Sequence, residues 1–211
     1  MPECPSCGYK SSSEWNYCVR CGTPRSATNN VLNYKFVVMG SGGVGKSALT
    51  LRFVHGNFIH IYDPTIEDRY TKHIEYDGDE VMIDLLDTAG QDTFCAMREL
   101  YMLNGDGFLF VYSITQRWSF VQLKDFYLPL QHRRIRNTPP LVLVGNKCDL
   151  EVIREVSTQE AAARAADWEA DHMETSAKTG ENMLQIFHAL LRRLKEQNKP
   201  PVRRRRACVL L

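Results

Sequence analysis

The feature that most narrows the architecture open to this chain is Gly40-Ser41-Gly42-Gly43-Val44-Gly45-Lys46-Ser47, set directly after the apolar run Tyr34–Met39. A buried strand that ends in a glycine cluster delivers a loop to the edge of a sheet. Glycines let successive backbone N–H groups curl around phosphate, and the helix that follows points its positive end at the same place. Lys46 would reach the β- and γ-phosphates, and the Ser47 hydroxyl suits Mg²⁺. The same residues also fit G-x-G-x-x-G through Gly40, Gly42 and Gly45, the pattern of a dinucleotide site. The Lys-Ser pair after the last glycine favours the phosphate loop, because a dinucleotide site needs neither. An ordinary glycine-rich turn is the third alternative.

Three more apolar runs follow, at 82–87, 107–112 and 141–146. Helical patterns lie between and after them. Ser157-Thr158-Gln159-Glu160 reads as a capping box that opens the Ala-rich stretch 158–167. Met183, Ile186, Phe187, Leu190, Leu191 and Leu194 keep helix spacing and form one apolar stripe. Strands that alternate with helices predict an α/β fold, a mostly parallel sheet with helices on both faces. Ligands of such folds bind at the carboxyl ends of the strands.

Two polar motifs occupy those ends. Asn146-Lys147-Cys148-Asp149 follows the fourth run. The Asp149 carboxylate can accept from guanine N1–H and the N2 amino group together. Adenine would leave it facing a lone pair, and a site that demands a polar partner rejects such an analogue by roughly 10⁴–10⁵ in favourable cases. The bland alternative is a polar strand-to-helix turn. The backbone N–H groups of Ser176-Ala177-Lys178 could hold guanine O6. Asp87-Thr88-Ala89-Gly90-Gln91 ends the second run. Asp87 fits the Walker-B role of holding Mg²⁺ through a water, Gly90 can offer its N–H to a γ-phosphate, and Gln91 can orient an attacking water. Thr65, in Tyr62-Asp63-Pro64-Thr65, could complete the Mg²⁺ shell when a γ-phosphate is present. Gln91 as a solvated loop residue is the alternative there.

With GSGGVGKS, Thr65, DTAGQ, NKCD and ETSAK in this order, the chain resembles the Ras family of small GTPases over about 34–197, and within it the Ras/Rap branch. GSGGVGKSALTLRFV is closest to Rap, whereas Gln91 is Ras-like. The resemblance implies a P-loop G domain with a six-stranded sheet. It implies a switch that binds GTP and GDP with Mg²⁺ and hydrolyses GTP slowly. Catalysis would rest on Gln91, Lys46, Thr65 and Gly90. The nucleotide would be held by residues 40–48, from Gly40 to Ala48, and by Phe58, Tyr62, Pro64, Thr65, Asp87, Gly90, Asn146, Lys147, Asp149, Ser176, Ala177 and Lys178. Mg²⁺ would be held by Ser47, Thr65 and Asp87. Phe58 would pack edge-on against guanine, and Gly42 would sit where bulky side chains block hydrolysis. Residues 62–70 would meet effectors, and residues 90–98 exchange factors and GTPase-activating proteins. The resemblance also implies a monomer.

Departures matter too. His60 and Ile61 replace two acids of Ras, and Arg69 replaces a Ser, so the partner-facing charge differs. Pro129 falls inside the third family helix, where it would remove a hydrogen bond and kink the chain. Arg52, Arg69 and Arg98 read as surface residues, leaving no arginine to act in cis on a γ-phosphate.

The two termini carry different chemistry. Cys4-Pro-Ser-Cys7-Gly8 and Cys18-Val-Arg-Cys21-Gly22 are paired C-x-x-C-G knuckles, the spacing of a small Cys4 zinc ribbon over residues 1–22. Iron, and free thiols or disulfides, are the alternatives. Small GTPases do not ordinarily carry such a unit, and a scaffold acting mainly through it is the competing function. Residues 23–33 read as a linker. Residues 192–206 carry a charge of +7, against +1 for the whole chain of 211 residues, so the body is mildly acidic and the tail strongly basic. Cys208-Val209-Leu210-Leu211 is a C-a-a-X box ending in Leu, which predicts geranylgeranylation of Cys208. One lipid anchors weakly, so Arg203–Arg206 would add the second signal, attraction to an anionic membrane within the tail 198–211. A nuclear-import run is the other reading of those arginines. Nucleic acid as a partner is not expected. The expected place is the cytoplasmic face of a membrane, the plasma membrane first, with a cytoplasmic stage before lipidation. No apolar run approaches the ~18 residues of a membrane span, and Met-Pro-Glu-Cys-Pro at the N-terminus lacks the apolar stretch expected of a secretory signal.

Overall fold

The computed structural model describes residues 7–10, 20–21, 31–58, 67–90, 95–132 and 139–198. Six strands run β1 (Leu32–Met39), β2 (Glu67–Tyr76), β3 (Asp79–Thr88), β4 (Gly107–Ser113), β5 (Leu141–Asn146) and β6 (Asp171–Glu174). The helices are α1 (Lys46–His55), α2 (Cys95–Asn104), α3 (Arg117–Val121), α4 (Leu123–His132), α5 (Thr158–Asp167) and α6 (Met183–Gln197), with a 3₁₀ turn at Cys148–Ile153. One sheet forms in the order β2-β3-β1-β4-β5-β6. All neighbours pair parallel except β2 with β3, which form an antiparallel hairpin.

Alternation along the buried strands builds two cores. Phe36 and Val38, Leu109 and Val111, and Val142 and Val144 face one side of the sheet, where they meet Leu49 and Phe53 of α1 and the stripe of α6. Val37 and Met39, Phe108, Phe110 and Tyr112, and Leu141 and Leu143 face the other side. There they meet α2, α4 and α5 through Met102, Phe126, Ala161 and Trp168. Every residue of the predicted α6 stripe is buried. Burial of a large apolar side chain stabilises by about 1.5–3 kcal/mol, so this stripe is what holds α6 to the sheet.

The expected strand 141–146 has the bounds of β5, and the other three runs lie inside longer strands. The capping box forms by half. Ser157 Oγ accepts from the Glu160 N–H at 3.2 Å. The Glu160 carboxylate turns instead to Arg117, at 2.6 and 2.8 Å. Pro129 lies inside α4, which runs on to His132. Gln122, between α3 and α4, keeps helical backbone angles (φ −65°, ψ −17°). Its N–H donates to Trp118 O at 2.9 Å, and its carbonyl accepts from Asp125 N at 2.9 Å.

The parallel strands carry their carboxyl ends to one edge of the sheet. Residues 40–48, 87–90, 113–122, 146–149 and 175–178 all begin there.

Candidate functional site

The loop after β1 is shaped by glycine where no side chain would fit. Gly40 has φ +146°, and a Cβ there would lie 2.1 Å from the Val111 carbonyl of β4. Gly45 has φ +95°, and its Cβ would lie 2.4 Å from Asn146 Nδ2. Glycine alone allows both the backbone angle and the approach. Gly45 is also the N-cap of α1, with no side chain capping that end. The start of α1 is thus turned toward the loop with a glycine as its cap, as an anion-binding helix start requires.

Lys46 is nine-tenths buried, and its Nζ donates to the Ser41 carbonyl at 2.9 Å. Burial pushes its ammonium down from the ordinary lysine value to about 8, against the attraction of Asp87. A buried cation held at such cost fits an anion in the mouth of the loop, which would raise it again. Asp87 is fully buried at the end of β3, paired in register with Val38 of β1. The hydroxyl of Ser47 and this carboxylate offer the hard oxygens that Mg²⁺ prefers. Gly90 closes on the loop backbone to backbone. A Cβ there would lie 2.4 Å from Gly42 N and 2.6 Å from Ser41 C.

A cavity of about 320 Å³ opens beside this loop, lined by Gly45, Ala48, Phe58, Asn146, Lys147, Asp149, Leu150, Ala177 and Lys178. These residues come from four separate stretches of chain. Asn146 stitches three of them. Its Nδ2 donates to Val44 O at 2.8 Å, and its Oδ1 accepts from Ala177 N at 3.2 Å. Lys147 has a left-handed backbone (φ +68°), and its Nζ donates to Gly43 O at 2.8 Å. Burial lowers its ammonium below the ordinary lysine value, against Asp149. Ser176 Oγ donates to Asp149 Oδ1 at 2.6 Å, and Thr179 N donates to Ser176 Oγ at 3.1 Å. The Ser176 side chain thus fixes the orientation of Asp149, a role its backbone reading did not include.

The residues expected at the nucleotide therefore meet wherever they are described: Gly40 to Ala48, Phe58, Asp87, Gly90, Asn146, Lys147, Asp149 and Ser176 to Lys178. Tyr62, Pro64, Thr65 and Gln91 lie outside the described residues, as do Cys4, Cys18, Cys208 and Arg203–Arg206. Cys7 and Cys21 are described and exposed. Among the described residues no three His, Cys, Asp or Glu side chains gather as metal ligands. No helix among them is long and apolar enough to cross a membrane. The surface reading of two arginines holds. Arg52 Nη2 reaches the Thr179 carbonyl at 3.5 Å, and Arg69 is 69% exposed and pairs with Glu67 at 3.2 Å.

The structure also joins residues that sequence reasoning passed over. Leu150 walls the cavity. Tyr101 donates to Glu67 Oε2 at 2.6 Å, tying α2 to the start of β2. Ser41 donates to Gln122 Oε1 at 2.6 Å, tying the loop to the junction of α3 and α4. These partners stand 34 and 81 positions apart, and no local pattern announces such pairs.

A glycine loop closed on a helix start, a buried lysine and a separate base-sized cavity define a phosphate-loop nucleotide-binding α/β domain. The family model of the Ras family matches residues 35–196, most of the chain. The chain belongs to the Ras family and is a small GTP-binding protein.

Proposed function

We propose that this protein is a GTP-hydrolysing switch of the Ras/Rap branch, anchored to the cytoplasmic face of a membrane. The observation that carries the nucleotide reading is the cavity that gathers Phe58, Asn146, Asp149, Ala177 and Lys178 beside Gly45 and Ala48. Asp149, oriented by Ser176, accepts from guanine N1–H and N2–H. Phe58 packs against the base, and the Ser176–Lys178 turn faces O6. The loop 40–48 with Lys46 holds the phosphates, and Tyr62 and Pro64 cover the nucleotide. Ser47, Thr65 and Asp87 would hold Mg²⁺, which neutralises charge beside the β- and γ-phosphates.

Gln91 orients a water for attack on the γ-phosphorus. Lys46 and the Gly90 N–H balance the charge that develops, and GDP and phosphate leave. A Cβ at Gly42 would meet the Gly90 carbonyl at 3.8 Å, an ordinary contact, so it is a bulkier side chain there that would crowd the attacking water. Arg52 and Arg69 point to other partners, so intrinsic turnover is slow and an arginine supplied in trans raises it by up to ~10⁵. Loss of the γ-phosphate releases residues 62–70 and 90–98, the surfaces for effectors and for regulators. Geranylgeranyl at Cys208 and Arg203–Arg206 hold the switch to an anionic leaflet, the plasma membrane first. Cys4, Cys7, Cys18 and Cys21 would hold one Zn²⁺ in a small ribbon, the metal supplying the cohesion that so short a unit lacks.

Single-turnover phosphate release by the full chain tests the hydrolytic reading. Gln91→Leu should slow it by roughly ten- to a hundred-fold while GTP binding persists. An unchanged rate would remove Gln91 from the mechanism. Native mass spectrometry of the same chain should find one Zn²⁺ beside GDP and Mg²⁺. Its absence from metal-replete protein would end the ribbon reading.

A further inference from the structure

We propose that Gln122 is a positioning residue of the phosphate loop, acting through the hydroxyl of Ser41. The inference rests on reading residues 40–47 as that loop. Ser41 is 1% exposed, and its hydroxyl donates to Gln122 Oε1 at 2.6 Å. The carbonyl of the same residue accepts from Lys46 Nζ at 2.9 Å. One residue therefore links a side chain outside the loop to the cation inside it.

The neighbours of Ser41 sharpen the point. Gly40 is pinned by its close approach to Val111, and Gly42 by the backbone of Gly90. Of residues 40–42, Ser41 is the one with a side chain that an outside group can grip. Gln122 sits between α3 and α4 with helical backbone angles (φ −65°, ψ −17°), and its side-chain oxygen meets the loop at Ser41. It also lines an open groove of about 970 Å³ with Gly42, Gly90, Trp118, Val121, Lys124 and Asp125. The bond spans 81 positions of sequence and is made at the phosphate end of the cleft, well apart from Asn146 and the base cavity. Its geometric effect is to hold the Ser41 carbonyl, and with it the Lys46 ammonium, at one place in the loop.

The test is the dissociation rate of mant-GDP from the full chain in Mg²⁺, for wild type, Gln122→Ala, Ser41→Ala, the double variant and Gln122→Glu. A hydrogen bond of ordinary strength corresponds to about a five-fold change in rate. Each alanine variant should speed dissociation about that much, and the double variant no more than either single, since both remove the same bond. Gln122→Glu keeps an oxygen acceptor and should stay near wild type. Lys124→Ala, in the same groove but without contact to Ser41, should also stay near wild type. The proposal is overturned if Gln122→Ala dissociates at the wild-type rate, or if the two effects multiply in the double variant. A lowered melting temperature with no change in the rate would likewise make Gln122 merely structural. Wild-type protein that binds no mant-GDP would overturn the loop reading, and the proposal with it. Wild-type binding that is lost in Lys46→Ala, alongside an indifferent Gln122→Ala, would overturn the proposal alone.

Discussion

At the base end of the cleft, side chains do the closing: Asn146 to Val44 and Ala177, Lys147 to Gly43, Ser176 to Asp149. At the phosphate end, around Gly42 and Gly90, backbone lies against backbone, beside the side-chain bonds of Ser41 to Gln122 and of Lys46 to the Ser41 carbonyl. The base cavity is the smaller of the two, at about 320 Å³. The phosphate end opens into a groove three times its volume, with Trp118 and Val121 about half exposed. A cavity that must select one base gains from groups already in place, because little ordering remains for the ligand to drive. An end that must respond to one phosphate gains from contacts that part easily, and backbone packing through glycine parts without breaking a polar network.

The strongest challenge to that contrast is a pair of alanine substitutions. Gly45→Ala places a Cβ on Asn146 in a left-handed backbone, so it should cost about 2–3 kcal/mol, a drop of roughly 5–10 °C in Tm, and release GDP rapidly. Gly42→Ala meets only an ordinary contact and should change stability by no more than about 0.5 kcal/mol. Equal melting temperatures would mean the base end is no tighter than the phosphate end. A middling effect is expected from Asn146→Ala. It removes both bonds to neighbouring segments and should speed mant-GDP dissociation by roughly ten-fold or more, beyond the Gln122 variants. A smaller effect than theirs would reverse the ranking of the two ends.

The mildest prediction concerns β6, which leads into the base-end turn. Hydrogen bonds from Arg193 hold the Asp171 carboxyl below its ordinary range, against the cost of its burial. The bonds are 2.8 and 2.9 Å long. A depressed folded-state pKa contributes stability above the unfolded value near 4 and loses it as pH falls through the folded value. Arg193→Ala should therefore lower Tm at pH 7, by an amount worth about 1 kcal/mol or less. The gap from wild type should narrow in melts taken near pH 3. A gap independent of pH would show that Asp171 is not the group responsible.

How much could be read in advance differs by element. β5 was readable to its ends because both of its faces are buried and four apolar residues in a row, Leu141–Val144, run into Gly145 and the polar motif at Asn146. α6 was readable because its stripe, Met183 to Leu194, keeps one face over about three turns. β2 was not, because Glu67–Tyr76 is charged and polar along its length, with few buried positions. Its strand state comes from ten register partners on β3. Pro129 predicts a lost hydrogen bond and a kink in the third family helix, and it stands inside α4. The contact of Gln122 with Ser41 across the fold has no such local signal.

Residue identity was enough to point to the glycine loop, the strand that delivers it and Asp149, the aspartate proposed to read guanine. Their signals are local: a glycine pattern, an apolar run, a carboxylate at a fixed offset. Only the folded chain could decide that Asn146 joins three segments, that Ser176 orients Asp149 and that Gln122 reaches the loop. Those bonds join residues 27 to 102 positions apart. Their strength depends on distances of a few tenths of an ångström that no sequence spacing encodes.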